Sequence, residues 1–125
     1  MARRGLSVKK DYDKGIADFT EAIRLDPKDS KAFNDRGSTW SVKKEFDKAI
    51  KDYEEAFRLA PKDPSAAYNK ACACALQGRT ALAIEQLRNA IEQGFRNFGH
   101  IATDSDLDSI RNDERFKALI AKHTK

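Results

Sequence analysis

The chain lacks long apolar runs. Nowhere in its 125 residues does an apolar stretch approach the roughly 18 residues that a membrane-spanning helix needs. The start of the chain, MARRGLSVKKDYDK, has basic residues but no apolar segment of a secretory signal. We therefore predict a cytoplasmic protein that has no membrane partner.

Cysteine is scarce, and its two copies lie close together, as Cys72 and Cys74 in YNKACACALQG. Two residues apart on a helix, these side chains point to different faces and cannot readily form a disulfide with each other. A lone C-x-C pair also lacks the further ligands of a zinc site. We predict two small buried thiols in a reducing compartment, with no bound metal and no cofactor.

Charge of one sign is not concentrated anywhere. The net charge is +4, and 15 basic residues oppose 13 acidic ones in residues 1–63, as 9 oppose 7 in residues 64–125. A nucleic-acid-binding protein normally gathers its basic residues on one face or tail. The even distribution therefore predicts that nucleic acid is not a partner.

Catalytic motifs are also missing. The sequence contains no glycine-rich phosphate loop, nucleophile elbow or His-Glu pair. The two histidines, His100 and His123, have no cysteine or carboxylate at the spacing of a metal site or a catalytic triad. We predict that the protein is not an enzyme and has no catalytic residue.

One acidic cluster resembles the start of a calcium loop, because Asp104, Asp106 and Asp108 alternate as in an EF-hand. The rest of that loop is absent, since Ser109 stands where glycine is needed and Arg115 where the bidentate glutamate belongs. We interpret these aspartates as helix-capping groups and predict no metal site.

The dominant feature is a repeat. Residues 7–29 (SVKKDYDKGIADFTEAIRLDPKD) and residues 41–63 (SVKKEFDKAIKDYEEAFRLAPKD) are identical at 15 of 23 positions when shifted by 34. Apolar residues follow helical spacing in both copies, and we expect each to form a leading turn and a helix. A third copy, from Ala75, keeps the spacing but few of the residues.

Proline and aspartate mark the ends of these helices. Pro27 and Pro61 cannot continue a helix, so each is expected to end one. Asp63 followed by Pro64 predicts a helix start, with a capping carboxylate and then proline at the first position. A further helix, SKAFNDRGSTWSVKK, leads into the second copy. The unit is therefore a helix pair recurring every 34 residues.

This period and these residues resemble the tetratricopeptide repeat. The matching residues of the complete unit are Phe33, Gly37, Trp40, Ala49, Tyr53, Ala56 and Pro61. The first unit matches at Leu6, Phe19, Ala22 and Pro27, and the third at Ala71, Gly78, Ala83, Leu87 and Ala90. The resemblance implies an all-α fold, a right-handed α-solenoid of antiparallel helix pairs. It divides a single domain into a partial unit at 1–29, full units at 30–63 and 64–97, and a C-terminal helical cap at 98–125.

The two ends differ. The first unit lacks most of its first helix, so we expect either an excerpt of a longer array or an end covered by a partner or by self-association with a second copy. The other end drops the repeat after Gly94, which predicts a left-handed helix cap. Residues 98–125 resemble the DxDLDxIRxDxRFxxL tail that follows such repeats in bacterial proteins, with Leu107 and Ile110 as core anchors.

The resemblance also implies a function, because this family binds other proteins in a concave groove lined by the first helix of each pair. The implied groove residues are Lys31, Asn34, Asp35, Ser38, Tyr68, Asn69 and Cys72, extended in the first unit by Arg4, Ser7 and Val8. We expect a non-catalytic interaction module for a peptide or protein segment whose identity the sequence leaves open. The alternative is a structural spacer or self-associating segment with no groove ligand.

Overall fold

The structure, a computed structural model, describes residues 2–124 and the side chains of residues 11–124. Regular structure in this range is entirely helical, without a strand. The helices are α1 (Ala2–Leu25), α2 (Ser30–Val42), α3 (Phe46–Leu59), α4 (Pro64–Leu76), α5 (Thr80–Glu92), α6 (Phe98–Thr103), a 3₁₀ helix (Ser105–Ile110) and α7 (Glu114–His123).

These helices form two compact units, residues 1–61 and residues 62–125. In the first unit α1 packs on α2 and α2 packs on α3. In the second unit α4 packs on α5, the 3₁₀ helix packs on both, and α7 packs on α5. Consecutive helices thus pack as pairs, which confirms the all-α fold predicted from the sequence.

The helix ends follow from local chemistry. Helix α1 ends at Leu25 and α3 at Leu59, in each case two residues before the predicted proline. The Asp63 side chain accepts a hydrogen bond of 2.9 Å from the Ser65 amide, and Pro64 is the first residue of α4, as predicted. After α5, Gly94 has a φ of 116°, which confirms the left-handed cap.

The first copy of the repeat differs from the second. In the second copy α2 ends at Val42, Lys44 takes a φ of 64°, and the Glu45 amide donates to the Trp40 carbonyl. In the first copy the same SVKK residues continue as helix within α1, so the leading turn predicted there is wrong. Arg4, Ser7 and Val8 lie outside the residues whose side chains are described.

Small residues let α2 and α3, in the compact unit of residues 1–61, approach closely. Gly37 on α2 faces the Tyr53 ring on α3, and a Cβ atom on Gly37 would lie 2.7 Å from Tyr53 Cε1 and 3.1 Å from the Ala49 carbonyl oxygen. Tyr53 is buried, and its hydroxyl donates to Ser38 Oγ at 3.2 Å, so the ring has little freedom to move. Gly37 is therefore required by the packing of α2 against α3.

Replacing Gly37 with alanine should accordingly lower the free energy of unfolding by about 1–3 kcal/mol through overpacking. Gly15→Ala is the matched control, since a Cβ atom there meets nothing within 4 Å and the change should instead stabilise α1 by about 0.5–1 kcal/mol. Urea unfolding followed by circular dichroism measures both. A shift of stability in the same direction for Gly37→Ala and Gly15→Ala would contradict close packing at Gly37.

The core of the second unit includes the C-terminal segment. Its largest fully buried apolar side chains are Leu87 and Ile91 from α5, Ile101 from α6, and Leu107 and Ile110 from the 3₁₀ helix. Leu107 and Ile110 are the anchors predicted from the sequence. Because Ile101, Leu107 and Ile110 are buried in this core, the chain after α5 packs as part of the second compact unit.

Across the described residues, no helix is both long and apolar enough to cross a membrane.

Candidate interaction site

The predicted groove residues of α2 lie on an open face of that helix. Lys31 is exposed, and its Nζ lies 3.0 Å from Asp35 Oδ2, one turn along the helix. Asn34 is half-buried beside this pair, and Ser38 Oγ accepts the hydrogen bond from the Tyr53 hydroxyl. The structure therefore brings Lys31, Asn34 and Asp35 together at the surface and gives Ser38 a contact within the helix pair.

The predicted groove residues of α4 have different surroundings. Tyr68 and Cys72 are buried, and Asn69 is half-buried. The Tyr68 ring stacks on the Phe95 ring with centroids 4.3 Å apart and 5° between the planes. Its hydroxyl donates a 2.6 Å hydrogen bond to Asp104 Oδ2. Tyr68 and Cys72 are thus covered by residues that follow α5 in the same unit. We call the part of the chain from residue 93 to residue 124 the C-terminal segment.

That segment runs along one stripe of α4. Asp104 Oδ2 lies 3.7 Å from Cys72 Sγ, and the Ser109 hydroxyl donates a 2.9 Å hydrogen bond to the carbonyl of Ala75. Tyr68, Cys72 and Ala75 recur at the spacing of a single helical face. Residues 104–109 therefore occupy the face of α4 that the family resemblance assigns to the groove.

Asp104 is the centre of the contact. Its Oδ1 accepts from the Asp106 amide at 3.0 Å, which confirms the capping role predicted for it, while Oδ2 lies 3.2 Å from His100 Nε2. Arg111 Nη2 donates to the Asp104 carbonyl at 2.8 Å and to the Ile101 carbonyl at 3.3 Å, which fixes the turn between α6 and the 3₁₀ helix. Both carboxylate oxygens of Asp104 therefore have a partner within the same segment, Oδ1 the Asp106 amide and Oδ2 the His100 ring.

Burial changes the acidity of the groups around Asp104. Desolvation, followed by the hydrogen bond to Asp104, raises the pKa of the Tyr68 hydroxyl above its usual value. Desolvation, together with the charges of Asp104 and Asp106, also raises the pKa of the Cys72 thiol. Both groups are therefore protonated at neutral pH and can donate to the Asp104 carboxylate.

The sequence does not reveal this cluster. Its patterns predict an open groove at Tyr68 and Cys72 and a cap at Asp104, with no signal that joins the three residues. The contacts join residues 32 and 36 positions apart, so no local spacing signals them. The prediction that both cysteines are buried and unbridged is confirmed, because Cys72 and Cys74 are free and buried.

Helix pairs that recur along the chain define the class of this protein as an α-helical repeat protein. Two family models of the tetratricopeptide repeat match it, at residues 42–94 and 9–29, and together they cover more than half of the chain. The chain is a tetratricopeptide repeat protein.

Among solved structures, the chain is similar to the type III secretion chaperone SycD of Yersinia enterocolitica, crystallised in complex with a peptide of the translocator YopD. The two are 20% identical and superpose with a TM-score of 0.70, covering 94% of this chain and 86% of the chaperone chain. This likeness shows the fold. A search of curated protein sequences gives no match.

Proposed function

We propose that this protein is a non-catalytic interaction module that receives a peptide or protein segment on the exposed face of α2. The observation that carries the proposal is the likeness, over 94% of the chain, to a chaperone whose structure contains a bound peptide. In the tetratricopeptide repeat family the first helix of each pair lines the concave groove, and this supports the choice of the α2 face. Lys31, Asn34 and Asp35 are the residues proposed to contact the segment.

The chemistry of this face suits reversible binding. The side chains of Lys31 and Asp35 are 84% and 41% exposed, so their ion pair is worth at most about 1 kcal/mol and is easily exchanged for contacts with a partner. An asparagine amide can donate to and accept from a peptide backbone. Because α2 is already ordered against α3, binding requires little ordering on this side.

The face of α4 is less suited to this role in the described structure. Residues 104–109 lie along it, and the polar atoms of Tyr68 and Cys72 contact Asp104. We therefore restrict the proposed contact surface to α2. A partner that reached Tyr68 would first have to displace the C-terminal segment.

The proposal predicts that position-specific crosslinking captures partners from α2. A photo-crosslinking residue at Asn34 should capture defined proteins from a lysate, whereas one at Lys51, exposed on α3, should not. Lys31→Ala/Asp35→Ala should reduce capture from Asn34 at least about tenfold, as expected when the central contacts of an interface are removed. Quantitative mass spectrometry of the captured proteins measures the difference.

The matched control is Asp47→Ala/Lys51→Ala, which also removes one acid and one base four residues apart, but from α3. Capture from Asn34 should be unchanged in this variant. If the α2 and α3 variants capture the same proteins equally, the α2 face does not bind them. The alternative of a structural segment without a groove ligand would then be favoured.

A further inference from the structure

An apolar cleft of about 360 Å³ is lined mainly by residues of α6 and α7. Ile101 and Phe116 form buried walls and Ile120 a half-buried one, and Ala102 and Ala121 are small, exposed residues of the lining. The volume lies within the range of small-molecule sites, about 300–1,000 Å³. A stable protein interface uses roughly 20–30 residues of each partner, whereas eight residues line this cleft. Its size therefore suits a small molecule better than a protein surface.

The charged groups of the cleft are all cationic. Apart from its apolar residues, it is lined by Arg111, Lys117 and Thr124, and no carboxylate is among the described residues of the lining. The Thr124 hydroxyl already donates a 2.8 Å hydrogen bond to the Ile120 carbonyl. Two cations therefore remain to contact a ligand, and a negatively charged head group complements them.

The backbone holds Arg111 in position, because its Nη2 donates to the carbonyls of Ile101 and Asp104. Its Nε is buried and has no acceptor among the residues whose side chains are described, so part of the donor capacity of the guanidinium is unused. The side chain as a whole is 30% exposed, which leaves the guanidinium within reach of a ligand. A guanidinium presents its donors in a planar fork that matches a carboxylate. A carboxylate entering from the cleft would supply an acceptor that the described residues do not.

The acidic partners of the two cations within the chain are easily exchanged. Arg111 Nη1 contacts the Asp108 carboxylate, and Lys117 Nζ lies 3.7 Å from Glu114 Oε1. The Asp108 and Glu114 side chains are 67% and 90% exposed, and such exposed ion pairs contribute little to stability. A ligand carboxylate can therefore replace either acid with little loss.

We propose that this cleft binds a small carboxylic acid with an apolar body. The body lies against Ile101, Phe116 and Ile120, and the carboxylate pairs with Arg111 and Lys117. Burial of the apolar body provides most of the affinity, and the two cations select the charge of the head group. The proposal is independent of the contact surface on α2, since it concerns other helices.

Titration of the full-length protein with octanoate, followed by the amide signals in nitrogen–proton correlation spectra, tests the site. We expect saturable shifts at Ile101, Phe116 and Ile120. Butyrate has the same head group and a shorter chain, and it should bind at least about tenfold more weakly because several buried methylene groups are lost. Octylammonium has a similar chain and the opposite charge, and it should also bind at least about tenfold more weakly because both cations repel it.

Matched substitutions on α7 locate the site. Ala121→Phe should fill the cleft and weaken octanoate binding at least about tenfold through steric exclusion. Ala118→Phe, at an exposed position that lines a different cleft, should leave the affinity unaltered. Lys117→Gln should weaken binding about threefold or more by removing one cation, whereas Lys122→Gln, also at the other cleft, should not. Circular dichroism establishes that each variant is folded.

Three results would overturn the proposal. The first is the absence of saturable shifts at the cleft residues of the folded wild type at millimolar octanoate. The second is octylammonium binding as tightly as octanoate, which would show that the cations do not select the head group. The third is equal affinity for octanoate in Ala121→Phe and Ala118→Phe, which would place the ligand elsewhere.

Discussion

Replacing Asp52 with alanine is expected to lower the free energy of unfolding by about 3 kcal/mol. Asp52 accepts two hydrogen bonds of 2.8 Å from the guanidinium of Arg36, and the side chains are 7% and 20% exposed, respectively. Removing the carboxylate leaves a largely buried cation that keeps a 3.2 Å hydrogen bond to the Thr20 hydroxyl and lies 5.6 Å from the centroid of the Phe33 ring, but neither of these partners carries a charge. The expected loss lies at the lower end of the range for buried pairs because Arg36 keeps some contact with water.

Two variants test this explanation by urea unfolding. Glu21→Ala removes another carboxylate with a bidentate arginine partner, Arg24, but that pair is exposed, so the loss should be much smaller than in Asp52→Ala. Replacing both Arg36 and Asp52 with leucine should restore most of the stability lost in Asp52→Ala, because no charge is then left unpaired. A loss in Asp52→Ala no greater than in Glu21→Ala would show that burial of the pair has no energetic consequence.

The second large effect concerns the C-terminal segment. Leu107 is 0% exposed and lies in the 3₁₀ helix that packs on α4 and α5. Truncating it to alanine should cost about 2–5 kcal/mol, since the side chain is lost and a cavity remains. Because this leucine anchors residues 104–109, hydrogen exchange in that stretch should accelerate as well.

Leu76 provides the control for Leu107, since it is 45% exposed at the end of α4 in the same unit. Leu76→Ala should change the free energy of unfolding by less than about 0.5 kcal/mol and leave hydrogen exchange at residues 104–109 unaltered. Equal losses in the two variants would contradict the anchoring role given to Leu107. Urea unfolding and hydrogen exchange together separate a local loosening of the segment from a global loss of stability.

The Leu107 result also bears on function. Residues 104–109 cover the stripe of α4 formed by Tyr68, Cys72 and Ala75. If loss of the Leu107 side chain frees this segment, the same substitution would expose a second helical face with the chemistry of a peptide groove. In the intact protein, the covered stripe confines the proposed contact surface to α2.

Much of the fold could be predicted because its signals are local. Pro27 and Pro61 end helices through missing N–H groups, and Asp63 caps the helix that follows it through a hydrogen bond two residues away. The 34-residue repeat then implied paired helices, since one amphipathic pair cannot bury its own apolar face. These features depend on residues only a few positions apart or on an exact repeat.

The two stretches of SVKK show where local information is insufficient. The same four residues continue a helix within α1 and lead into a turn after Val42. The four residues have the same intrinsic backbone propensity in both places, so the difference comes from outside the SVKK segment. The candidate site has the same limitation, because the contacts of Asp104 with Tyr68 and Cys72 span more than 30 residues.

The sequence by itself determined most of the helices, their period, several of their caps and the apolar anchors Leu107 and Ile110, because each is a short-range pattern with a physical cause. Only the tertiary structure decided which predicted groove residues are open. It left Lys31 and Asp35 at the surface and covered Tyr68 and Cys72 with residues 104–109. The reason is that burial is a property of the neighbours that folding brings together, and the partners of Tyr68 and Cys72 lie far along the chain.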